Sequence, residues 1–217
     1  TAGGTVTFET DEQVRDVLID NSAVRWELNE WQYQVSNDLA VSPNNDGCSL
    51  TAVGGSVLTN QLHVGSLNDQ VGTLTLESGC DWDTQSLSMG DFNDREGLLT
   101  LEGGSRMNVR NDLTLADQGV AEIRVLNGAF TVSEDSNHPT LTLGANSNSE
   151  GRMIVQGVSR VTTSDEIVVG DEGHAQDRTE PPDQCALAPR GLAEAVGDVR
   201  NVHPLPRIEC AVARFIE

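Results

Sequence analysis

The sequence has no lysine: all 13 basic residues are arginine, set against 34 acids, for a formal net charge of −21 at pH 7 over 217 residues. A field of that sign repels phosphate backbones and anionic lipid, which excludes nucleic acid as an expected partner. It attracts cations, Ca2+ among them. Aromatic residues are only 4%, so a core must be aliphatic, and the early rings (Phe8, Trp26, Trp31, Tyr33) stand apart from the rest. Proline is rare until the C-terminal region, where Pro181, Pro182, Pro189, Pro204 and Pro206 fall. No stretch approaches the roughly 18 apolar residues of a membrane span, so membrane insertion is not expected. Cys48, Cys80, Cys185 and Cys210 include no C-x-x-C pair, and His63, His138, His174 and His203 share no ligand spacing. Neither a Ser-His-Asp or Cys-His order nor a phosphate-binding glycine loop ahead of a helix is present.

What the chain does have is a repeat. An apolar-x-apolar pair recurs as Leu39/Val41, Leu62/Val64, Leu87/Met89, Leu113/Leu115, Leu141/Leu143 and Ile167/Val169, with 23, 25, 26, 28 and 26 residues between first members. A second column follows each loop as Leu50/Ala52, Leu74/Leu76, Leu99/Leu101, Ile123/Val125 and Met153/Val155, with Val17/Ile19 as an earlier member. Beyond a glycine-rich turn comes a third: Trp26/Leu28, Leu58, Trp82, Met107/Val109, Phe130/Val132 and Val161. Within each strand the period is two, which buries one face and wets the other. Three strands and three turns per coil make an all-β, three-sided β-solenoid of about six coils, each burying its inner face only against its neighbours. Stacking at about 4.8 Å gives a rod on the order of 30 Å long.

Segments such as Gly72 to Gly79 (GTLTLESG) and Gly97 to Ala116 (GLLTLEGGSRMNVRNDLTLA) resemble the T5SS/PEP-CTERM-associated repeat of bacterial autotransporter passengers and exported surface proteins. The resemblance spans about Val14 to Gly173. It implies a right-handed single-stranded β-helix and an extracellular or cell-surface location, and it carries no functional residues across. No signal peptide is visible, and the start at Thr1 rather than Met fits a leader removed either by processing or by the design of the expressed chain.

Residues 1–173 are therefore read as the solenoid domain and 174–217 as a proline-containing linker and C-terminal cap. Thr5 to Glu9 reads as a lone strand leading into the first coil. Leu192, Ala195, Val196 and Val199 recur at helical spacing. The apolar segment Ile208–Ile216 either caps the solenoid or docks on a partner, including a second copy of the chain; capping is the preferred reading. Trp26, Trp31 and Tyr33 cap the other end, or alternatively form a carbohydrate-stacking platform. Cys48 and Cys80 lie about eight positions apart in phase, beyond disulfide reach; Cys185 with Cys210 would staple the tail.

Three arrangements carry chemistry. Asp46, Asp69, Asp94, Asp117 and Asp171 recur in the loops; they read first as solvated turns and second as a Ca2+ ladder, Ca2+ being the one cofactor the sequence suggests. Glu77 and Glu102 occupy one phase in adjacent coils, the pairing that glycoside hydrolysis uses at about 5 Å or at about 6.5–9.5 Å. Arg106 is placed to neutralise Glu102. A Thr51, Thr75, Thr100 ladder raises ice binding, but Arg124 and Ile154 interrupt it, and threonine is a favourable exposed strand residue. The expected function is a non-enzymatic surface, structural or adhesive module with a polysaccharide or cell-surface ligand. A carbohydrate-active β-helix enzyme and a Ca2+-stabilised scaffold are the alternatives.

Overall fold

The computed structural model describes residues 4–20, 23–41, 47–65, 71–90, 95–111, 113–133, 141–144, 149–163, 167–169, 174–178 and 185–187. The first coil consists of β1 (Gly4–Thr7), β2 (Glu12–Val14) and β3 (Val17–Ile19). Next, β4 (Ala23–Val41) and β5 (Cys48–Val64) each run unbroken around three faces, bending at register shifts. Later coils divide: β6 (Val71–Glu77) and β7 (Asp81–Met89); β8 (Glu96–Glu102), β9 (Arg106–Val109) and β10 (Leu113–Leu115); β11 (Val120–Leu126), β12 (Ala129–Val132) and β13 (Leu141–Leu143). Then come β14 (Glu150–Gln156), β15 (Ser159–Thr163), β16 (Ile167–Val169), β17 (His174–Arg178) and β18 (Cys185–Leu187). Every pairing among them is parallel and joins one coil to the next, so the fold is an all-β solenoid of stacked coils.

The columns follow from the period-two pattern. On the first face Val24, Leu50, Leu74, Leu99, Ile123 and Met153 are in register. On the second, Tyr33, Val57, Trp82, Met107, Phe130 and Val161 align. The third carries Val17, Leu39, Leu62, Leu87, Leu113, Leu141 and Ile167. From Leu50 to Leu113 these inward residues lie at 2% exposure or less. The Trp82 indole N–H, which burial would otherwise strand, donates to Thr59 Oγ1 at 3.1 Å. Thr84, fully buried on the same face, donates to the Ser86 carbonyl at 2.9 Å.

Four sequence expectations are corrected. Val17 and Ile19 belong to the third face, opposite Leu39 and Val41, not to the first. Trp26 lies on the first face opposite Ala52, whose methyl leaves room for the indole. Val57, not Leu58, points inward on the second face: Val57 is fully buried and Leu58 half-buried. The strand at Gly4–Thr7 is not a lone lead-in but the first face of the first coil, paired with Val24 to Glu27. The stack also continues past residue 173, because β17 pairs with β14 and β18 with β15. The helix expected at 192–199 and the tail from 208 lie outside the described residues.

Corners fix the phase. Leaving the first face, Asn29, Gly54, Ser78, Gly103, Asn127 and Gly157 all take positive φ between 53° and 69°, the left-handed region where glycine and asparagine are least strained. Where the third face returns to the first, Cys48, Gly72, Gly97, Ala121 and Gly151 form a buried column of small residues. A Cβ on Gly97 would stand 2.5 Å from the Val64 carbonyl oxygen, so the two chain segments approach too closely for a side chain.

At the N-terminal end Phe8, Trp26 and Tyr33 close the core as a ring cluster, with centroids 4.7 to 5.9 Å apart. All three are at least nine-tenths buried. They act as a plug: neither Trp26 nor Tyr33 presents a ring face to solvent, while Trp31, the third ring of the expected cap or stacking platform, is half-buried and packs against the core.

Candidate functional site

Glu77 ends β6 and Glu102 ends β8, one residue beyond the in-register pair Leu76 and Leu101. The two carboxylates border one shallow, open depression of about 600 Å3, completed by Ser78, Gly103, Leu126 and Asn127. The left-handed turn at Ser78 and Gly103 holds both glutamates at the edge of the first face. Adjacent parallel strands lie about 4.8 Å apart, so the sequence-derived pair does come together. Its electrostatics are uneven, however. Arg25, two coils back, donates from its terminal nitrogen to Glu77 Oε2 at 3.0 Å and also lies 3.5 Å from Glu27. The bond to Glu77 is the main cause holding the Arg25 guanidinium above its usual range. Arg106 makes no ion pair with Glu102 among the described residues. The depression has no aromatic wall; Trp82 lies in the core, as its phase requires.

Of the loop aspartates, Asp46, Asp69, Asp94 and Asp171 lie outside the described residues. Asp117, half-buried, is in the turn after β10. Among the described residues no group of three or more His, Cys, Asp or Glu side chains is arranged to hold a metal ion. Cys48 and Cys80 are buried thiols at different corners, as their phases required. Burial, followed by the charge of Asp81, pushes the Cys80 thiol up to about 12, far from a thiolate nucleophile at neutral pH. Cys210, the proposed partner of Cys185, lies outside the described residues.

Compared with known proteins, the chain matches no family model, no curated protein and no solved structure.

The threonine ladder is real: Thr51, Thr75 and Thr100 are in register, bounded by Arg25 and Arg124. Arg124 Nε bonds Glu122, which also accepts from Arg152 at 2.9 Å, so the flat array ends in a charged cluster. That boundary limits it to three coils.

A second concave feature escaped the sequence reading. At the corner between the second and third faces, Ser36, Asn60, Gln85 and Arg110 each follow the in-register inward positions Val35, Thr59, Thr84 and Val109. Beside them runs the outward column Gln34, Leu58, Asp83 and Asn108. The two columns bound a furrow of about 250 Å3. Arg110 grips Asp83 with two parallel bonds of 2.6 Å each. Asn111 donates to Gln85 Oε1 at 3.3 Å. Asn60 and Gln85 share one phase and Gln34 falls in the neighbouring column; their meaning depends on knowing that Leu58 faces outward.

Proposed function

We propose that this chain is a non-enzymatic β-solenoid module of an exported, surface-exposed protein, with a structural or adhesive role toward a polysaccharide or other cell-surface ligand. The observation that carries this reading is the way the outer charges are paired along the solenoid. Arg25 pairs with Glu77, Arg110 with Asp83, and Arg124 and Arg152 with Glu122. Arg110–Asp83 and Arg152–Glu122 tie adjacent coils, Arg25–Glu77 spans an intervening one and Arg124–Glu122 lies within β11; carboxylates engaged in this way are poorly placed for hydrolysis, which needs an acid and a base poised on either side of a bond. The resemblance to exported repeat proteins supports the same location.

A carbohydrate-active enzyme is the second reading, favoured by one observation: Glu77 and Glu102 share a depression. Incubation with a panel of acidic and neutral polysaccharides separates the two. Retention of polysaccharide without new reducing ends or unsaturated products supports the module. Turnover that disappears in both Glu77→Gln and Glu102→Gln overturns it.

A further inference from the structure

We infer that the corner furrow floored by Leu58 is a binding site for a single neutral sugar unit, such as a chain end or branch. This rests on the adhesive reading and specifies where contact is made. Leu58 is an aliphatic residue at an outward position, between Gln34 and Asp83 in its column. A pyranose ring has an apolar C–H face and a rim of hydroxyls that both donate and accept. Leu58 supplies the surface for the first, and side-chain amides supply the second, since each offers a carbonyl acceptor beside an NH2 donor.

The amides are available for this. Gln34 and Asn60 make no side-chain hydrogen bond among the described residues. Gln85 is oriented through its oxygen by Asn111, which leaves its NH2 for a ligand. The ion pair sets the charge class. Arg110 and Asp83 bond bidentately at 2.6 Å, so they present a fixed donor and acceptor edge with little net charge. A carboxylated or sulfated sugar would have to compete with Asp83 for the guanidinium and approach a chain of net charge −21. A neutral one meets neither barrier. Size sets the length: about 250 Å3 falls below the roughly 300–1,000 Å3 of sites that enclose drug-sized ligands.

The test uses the intact, 15N-labelled chain titrated with glucose, galactose and N-acetylglucosamine, with galacturonate as the acidic comparator. The expected result is a millimolar Kd for at least one neutral sugar, with amide shifts confined to Gln34, Leu58, Asn60, Gln85 and their neighbours. Galacturonate should leave those signals in place. Leu58→Glu should abolish the shifts while the rest of the spectrum is unchanged, and Asn60→Ala or Gln85→Ala should weaken binding roughly two- to tenfold, the worth of one hydrogen bond. Shifts on another surface, or none by about 50 mM, a concentration that would largely saturate a site of low-millimolar Kd, overturn the furrow. Retention on the polysaccharide panel in that case leaves the adhesive reading standing. Its loss together with silent titrations removes both.

Discussion

Replacing Leu99 by Ala should cost about 3–4 kcal/mol of unfolding free energy, while Thr100→Ala, one residue along, should cost under about 0.5 kcal/mol. Leu99 is fully buried, in register between Leu74 and Ile123. Truncation removes three carbons from that column, worth about 2.4 kcal/mol of transfer free energy at about 0.8 kcal/mol per group. The cavity adds to this, because the backbone ladders above and below hold the strands at about 4.8 Å and prevent collapse along the axis. Thr100 faces outward between Thr75 and Arg124 and loses only exposed surface. Urea denaturation followed by far-UV circular dichroism and by tryptophan fluorescence, with Trp82 buried on the neighbouring face, measures both. In Leu99→Ala the midpoint should fall; if m falls with it, the coils around β8 are opening separately, as a nearest-neighbour stack permits. Equal effects at the two positions, or a larger one at Thr100, would refute the phase assignment.

Three further outcomes follow from the corners. Gly97→Val should abolish cooperative melting and soluble expression, because its side chain meets the Val64 carbonyl and the Met89 Cβ; a normal melt would show that the corner relaxes. Ser78→Gly should raise stability by about 0.5–1 kcal/mol, since exposed Ser78 holds φ at +53° without glycine's freedom there; an unchanged melting temperature would contradict this. Cys80 should make the fold alkali-sensitive: its folded value lies above its ordinary 9.0, so its stabilisation is complete below that pH and is lost as pH rises toward about 12. Above about pH 9 the loss should approach about 1.4 kcal/mol per pH unit, and Cys80→Ala should flatten that slope; an identical slope would assign the sensitivity elsewhere, with Tyr33, also raised by burial, the next group to examine.

The inward columns were legible because one residue class returns at one phase, which hydrophobicity alone reports. Legibility failed where hydrophobicity was ambiguous. Val57 and Leu58 are adjacent and both apolar, so only the backbone path through Gly54 and Gly55 decides that Val57 turns in. Trp26 was misplaced because bulk was matched with bulk, whereas the fold matches it with Ala52; within a column, large and small residues complement one another between coils. Glu77 and Glu102 were found from phase alone. Arg25 was not, because it reaches across an intervening coil to Glu77, a contact that no nearest-neighbour reading contains. The furrow was missed for the related reason that it lies between two outward columns, each unremarkable by itself.

A stacked parallel solenoid carries an electrostatic hazard that a globular domain avoids: residues of like charge at one phase lie directly over one another. For a chain with 34 acids and 13 arginines this bears on nearly every outward column. The register shows how it is relieved. Val71, Glu96, Val120 and Glu150 alternate, which separates the carboxylates by a full coil. Asp81 is followed by Arg106, and Glu122 by Arg152. Where acids do stack, a neighbour intervenes: Asn37 donates to both Asp16, at 2.7 Å, and Asp38, at 3.2 Å. Glu77 and Glu102 are the corresponding exception on the first face, and Arg25 answers one of them. The paired glutamates thus have a sufficient structural explanation in the rules that govern every other column. Leu58 has none, since an outward leucine among amides relieves no repulsion and fills no core. That difference is why the ligand is placed at the charge-balanced corner rather than at the acidic one.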